Sequence, residues 1–250
     1  MAAKAFKGTQ LRDLYSALGH LKQSEQVALA QEHARDVAML EHRIKKDLAT
    51  VAGYPALTEG PLVDDRRKRL PESVEVADLG STDEFARALG HDRHVVAGRP
   101  DLGFRYLERE ISPLRGSGLA RRSMDLLLLG EDGTPILGEL KRGPDSLPHF
   151  ALIQLLVHLV ELSSASQRER LVRLGVPPEK KDGPMDLYLI AYGAPHVTHH
   201  HASLEATKAI AHHLVTGRRG ELAQHVRRIA YLHAKPVQDA LAFTKIFIAG

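Results

Sequence analysis

The chain has no cysteine, which excludes disulfide bridges, thiolate nucleophiles and zinc sites built on sulfur. It also lacks any apolar run near the roughly 20 residues that span a bilayer, and its N-terminus has no apolar core of the secretory type. A cytoplasmic protein with no membrane partner is the expectation. An excess of charge of one sign is missing too: 34 basic against 31 acidic residues leave a formal net charge of +3, although the sequence pI is about 9.1 and there are 15 histidines. That balance permits a nucleic-acid partner without arguing for one. What remains is ordinary for a globular protein: 250 residues, 43% hydrophobic and 26% charged. Such a chain can bury a sizeable core, as one large domain or as a domain with a helical extension.

The most informative stretch runs from Met124 to Lys141. Two short apolar runs, Leu126 to Leu129 and Ile136 to Leu140, flank Glu131-Asp132-Gly133, the pattern of a β-hairpin closed by a three-residue loop with a left-handed glycine. That loop length sets Asp125 opposite Glu139 on the neighbouring strand. Side chains alternate along a strand, so Lys141 shares the face of Glu139. Two carboxylates and an ammonium are thereby expected at one spot. The flanking residues are apolar on both faces, which marks covered, central strands.

A carboxylate in such a place needs a partner or a cation. A hard ion such as Mg²⁺, with Mn²⁺ as a substitute, takes one or two carboxylates and keeps waters for a phosphate-bearing substrate. The ion would polarise the phosphoryl oxygen while Lys141 orients a water or balances developing charge. The implied chemistry is phosphodiester hydrolysis. The competing reading makes Glu139 and Lys141 a solvated pair on a strand edge, with Asp125 a strand-entry residue after Arg121 and Arg122; such pairs contribute little. The apolar flanks argue against it.

At these residues the chain resembles the PD-(D/E)xK nuclease superfamily, the restriction-endonuclease-like fold, through Asp125, Glu139-Leu140-Lys141 and, on the following helix, Gln154. The resemblance covers roughly residues 80 to 195, with a weaker likeness to Shedu-like stand-alone defence nucleases. It implies an α/β fold with an αβββαβ core and a mixed central sheet, and a metal-dependent nuclease cutting DNA in preference to RNA. It also implies Asp125 and Glu139 as metal ligands, with the Leu140 carbonyl as a third. An acidic residue on the first helix of the core is common in the superfamily, and Glu84 is the candidate, with Glu108 and Glu110 as alternatives. Double-strand cutting would favour a homodimer with two sites.

Along the rest of the chain, residues 9 to 52 read as helix. Thr9 to Leu21 is amphipathic, Ser24 is placed as an N-cap, and Val27, Ala30, Ala34, Val37, Leu40, Ile44, Leu48 and Val51 form one apolar stripe. Residues 53 to 72, with Pro55, Pro61, Pro71 and the charge run Asp64 to Arg69, read as a linker. The expected division is a helical N-terminal region over 1–72 and a nuclease-like domain over 73–250. Ser81 to Glu84 has the pattern of a capping box. Phe104 to Ser112 reads as strand in preference to helix. A helix from Pro148 is apolar nearly all round and therefore buried, interrupted by Gln154 and His158. Met185 to Tyr192 is taken as the last core strand. Two C-terminal helices are expected, over 203–216 and 220–234, then an edge strand from Phe243 to Ile248. Arg218, Arg219, Arg227 and Arg228 are phosphate-contact candidates. His196, His199 to His201, His212 and His213 form a rival metal site of no familiar spacing, and exposed histidines are the preferred reading. A second functional class stays open beside the enzyme: a binding module for nucleic acid or protein on the same scaffold, without turnover.

Overall fold

In a computed structural model, the described residues are 9–53, 81–82, 84–86, 89, 103–111, 123–142, 147–193, 201–216, 221–237 and 240–250. Three helices come first: α1 (Gln10–Leu18), α2 (Gln23–Arg35) and α3 (Val37–Ala52). A helical turn that includes Glu84, Phe85 and Ala86 precedes β1 (Phe104–Ile111), β2 (Met124–Gly130) and β3 (Pro135–Arg142). There follow α4 (Pro148–Glu161), α5 (Ala165–Arg173), β4 (Met185–Tyr192), α6 (His201–Thr216), β5 (Val226–Val237) and β6 (Ala240–Ala249).

The six strands form one mixed sheet in sequence order, antiparallel from β1 to β3, parallel from β3 to β5, and antiparallel at β5 and β6. Alternation sorts its side chains into two cores. Leu127, Leu129, Leu137, Leu187, Leu189 and Ile229 join a cluster with Leu11 of α1, Leu40 and Ile44 of α3, Leu152 and Leu156 of α4 and Ile210 of α6. On the other face Leu126, Leu128, Ile136, Tyr188, Ile190 and Leu232 pack with Phe85, Phe104 and Phe243. Helix α4 is buried at every position except the half-buried Phe150, because the sheet covers one side and α1, α3 and α6 cover the other. The helical N-terminal residues therefore share a core with the sheet.

The expected strands β1 to β4, the buried α4 and the helix over 203–216 are all present. Three expectations need correction. The apolar stripe of the N-terminal region is two helices, since Asp36 leaves helical geometry at φ −127° and ψ 67° and caps α3 by accepting from the Met39 N–H at 3.2 Å. Lys22, not Ser24, stands at the start of α2, where the Glu25 carboxylate takes the Lys22 N–H at 2.7 Å. Residues 226–237 are strand rather than helix, so the sheet does not end at β4; among the described residues the C-terminal part holds one α-helix, a 3-10 turn over Glu221–Gln224 and two strands. The reason lies in β4, buried at all eight positions: a strand covered on both faces in that way needs a neighbour on each side, and β5 pairs with it from Met185 to Tyr192. The expected linker over 53–72, with its charge run, lies outside the described residues but for Gly53.

Candidate active site

The hairpin of β2 and β3 has the expected register. Gly133 is left-handed at φ 78°, the Gly130 N–H donates to the Thr134 carbonyl at 2.9 Å, and Leu126 to Leu129 pair with Gly138 to Pro135. One step beyond the last pair stand Asp125 and Glu139. The Asp125 Oδ2 accepts from the Leu140 N–H at 2.8 Å, and the charge of Asp125 acts on the Glu139 carboxyl.

Lys141 comes to the same place. Its Nζ donates to Glu139 Oε1 at 2.5 Å and to Gln154 Oε1, on α4, at 3.1 Å. Glu139 is only 1% exposed, and its Oε2 is buried with no donor among the described residues. Burial pushes the Glu139 carboxyl well above the ordinary range; Lys141 opposes that rise and Asp125 adds to it. Asp125 is raised by burial too, against the pull of Lys141 and the Leu140 N–H. For Lys141, burial favours the neutral amine, but the charges of Glu139 and Asp125 outweigh it and hold the ammonium above the ordinary lysine value.

These residues fit a hard divalent cation. The orphaned Glu139 oxygen, with a second carboxyl beside it, is a site short of positive charge. Among the described residues no group of three or more His, Asp and Glu side chains is gathered. Two carboxylates, with the Leu140 carbonyl on the backbone between Glu139 and Lys141, suit an ion that retains water, such as Mg²⁺. They do not suit zinc, which takes three or four protein ligands.

Comparison with protein-family models, curated proteins and solved structures gives no match. The site therefore stands on its own geometry.

The remaining candidates are placed as follows. Glu84 closes the expected capping box, accepting from the Ser81 N–H at 2.9 Å while Ser81 Oγ accepts from the Glu84 N–H at 3.2 Å. Its charge and that of Asp125 both act on Tyr192, whose hydroxyl is pushed up to about 12, chiefly by burial. Glu108 is buried and accepts from the Arg109 N–H at 3.1 Å. Glu110 falls opposite Asp125, between the pairs Arg109–Leu126 and Ile111–Met124, and has a left-handed φ of 49°, a strained backbone for a residue with a side chain. His158 is 1% exposed, and neither ring nitrogen has a hydrogen-bond partner among the described residues. His201, His212 and His213 are exposed, with His213 Nε2 at 3.2 Å from Glu41; His196, His199 and His200 lie outside the described residues. Arg227 is not an open phosphate contact: Nε and Nη2 reach Asp186 at 2.8 and 2.7 Å, and Nη1 reaches Asp132. Arg218 and Arg219 are outside the described residues.

Two parts of the site escape a reading of the sequence. Tyr15 of α1 donates to Gln154 Oε1 at 2.9 Å, and Arg12 of α1 pairs with Glu161 at the end of α4. The available signal is a tyrosine among Leu11 and Leu18 on the buried stripe of α1, since a buried hydroxyl must find a partner. Nothing local names that partner.

Proposed function

We propose that this protein is a metal-dependent nuclease that hydrolyses phosphodiester bonds, DNA in preference to RNA. One observation carries the reading: Asp125, Glu139 and Lys141 converge on a spot where a buried Glu139 oxygen has no donor among the described residues. A helical turn, three antiparallel strands, a buried helix and, after the intervening α5, a parallel strand come in that order, which supports a restriction-endonuclease-like core.

In the reaction water adds to phosphorus, one P–O ester bond breaks, and the departing oxygen takes up a proton, leaving a phosphate monoester and a hydroxyl. A bound Mg²⁺ would supply Lewis-acid polarisation and a more acidic water. Asp125 and Glu139, with the Leu140 carbonyl, are the groups to hold it. The Lys141 ammonium, kept charged by both carboxylates, faces the same spot and stabilises the negative charge that grows on the phosphoryl oxygens. Gln154 shares the ammonium with Glu139 and so restricts where it points.

The test is incubation with plasmid, linear and single-stranded DNA and with RNA, in Mg²⁺ or Mn²⁺, with binding measured in parallel. Asp125→Ala and Lys141→Ala are expected to lose roughly 10²-fold or more in kcat while remaining folded. Cleavage at the wild-type rate by both variants rejects the assignment. Binding without cleavage by the wild-type protein favours a binding module on the same scaffold.

A further inference from the structure

The oxygen that holds the Lys141 ammonium is shared with a residue from the far end of the sequence. Gln154 Oε1 accepts from Tyr15 Oη at 2.9 Å and from Lys141 Nζ at 3.1 Å. An ammonium can only donate, so the amide must present its oxygen, not its NH₂, to Lys141. A second donor on that oxygen opposes rotation of the amide away from it. The Tyr15 ring lies nearly flat on Phe150, with centroids 4.8 Å apart and planes at 12°. Lys141 Nζ stands 5.7 Å from the centroid of the same Phe150 ring, so Tyr15 and Phe150 also form the wall beside the ammonium.

Helix α1 is anchored well enough to act as such a support. Asp47 of α3 accepts from the Gln10 and Leu11 N–H groups at 2.9 and 2.8 Å, and Arg12 is tied to Glu161, seven positions beyond Gln154 on α4. Both ties lie in the turn of α1 that precedes Tyr15, and each joins α1 to an element packed in the same core as the site.

We propose that Tyr15 is a positioning residue for hydrolysis: acting through Gln154, it holds the Lys141 ammonium against Glu139, so that α1 completes the site. The inference rests on the nuclease reading and adds a residue that the Asp, Glu-x-Lys and Gln constellation does not contain.

A double-mutant cycle on the full chain tests it. Tyr15→Phe keeps the stacked ring and removes only the hydroxyl. It is expected to lower kcat roughly tenfold with KM nearly unchanged, in the manner of groups that orient a catalytic side chain. In a Gln154→Leu background the same change should cost nothing further, because the hydroxyl has lost the group it acts through. The side-chain amide ¹⁵N–¹H signals of Gln154 supply a readout independent of turnover, and in Tyr15→Phe they should shift and broaden. An unchanged kcat with unchanged amide signals overturns the proposal, as does an equal loss in both backgrounds. If the wild-type protein cleaves nothing while the amide signals respond to Tyr15→Phe, the positioning contact stands and the nuclease reading fails. If the wild-type protein cleaves and Tyr15→Phe matches it, the positioning role fails and the nuclease reading survives.

Discussion

Arg12 and Glu161 meet through two parallel hydrogen bonds, Nε to Oε1 and Nη2 to Oε2, each 2.6 Å long, with side chains 4% and 0% exposed. The pair locks α1 onto the C-terminal end of α4. Removing one partner strands the other charge in the core, so Glu161→Leu should cost about 3–5 kcal/mol in a urea titration. Arg12→Met combined with Glu161→Leu should recover most of that loss. A Glu161→Leu midpoint equal to wild type would mean that the pair does not hold the helix.

Acid should destabilise the protein through two histidines of α4. Burial, reinforced by His33, lowers His149 to about 3, and burial, reinforced by Arg12 and Lys141, lowers His158 to about 3. Between the ordinary histidine value of 6.5 and about 3 the unfolded chain binds protons that the folded chain refuses. Stability is therefore complete above that window and falls as the pH drops through it, by about 1.4 kcal/mol per pH unit for each histidine. Denaturant titrations of His158→Leu should show a shallower fall than wild type. Parallel curves would contradict a neutral, buried His158.

The acidic pair has the opposite sign. Burial raises both Asp125 and Glu139, so without a cation the folded state favours their protonated forms, and this contribution is lost as the pH rises above the ordinary carboxyl value. Under the proposed metal-dependent reading, a divalent ion would replace the proton. Mg²⁺ should raise the Tm more at pH 8 than at pH 5, with about 2.7 kcal/mol gained at a concentration one hundred times its Kd. Glu139→Gln should erase that metal dependence and leave the metal-free protein at least as stable at pH 8. A Tm of wild-type protein indifferent to Mg²⁺ at pH 8 counts against the cation site.

Gly138 faces Leu126 across the hairpin, and a Cβ there would sit 2.9 Å from the Leu126 Cβ. One strand must move to admit it, and that movement is transmitted to Asp125 and Glu139, each one residue away. Gly138→Ala should lose about 1–3 kcal/mol of stability and, under the nuclease reading, a larger share of cleavage than its stability loss explains. Cleavage and stability both at wild-type levels would show that the close approach of the strands is dispensable.

The site and the rest of the fold differ in how much of them is legible in the sequence. Where a relationship is local it can be read directly. Loop length and strand alternation are properties of the 18 residues from Met124 to Lys141, and they set Asp125 beside Glu139 with Lys141 on the same face. Burial of α4 is equally local, because its apolar residues run all the way round. The helix expected over 220–234 fails because its strand character comes from β4, which needed a neighbour. Likewise, the break at Asp36 interrupts a stripe whose spacing continues across it, and only the cap geometry reveals two helices.

By itself, then, the order of residues determined the hairpin, its register and the convergence of three charged side chains, since backbone alternation and a short loop leave a single pairing that buries both strands. The tertiary structure decided which groups surround that trio. Tyr15 and Gln154 are 139 positions apart, and Arg12 and Glu161 are 149 apart. No periodicity connects residues at such separations, so they meet only because α1 and α4 must bury their apolar faces against each other.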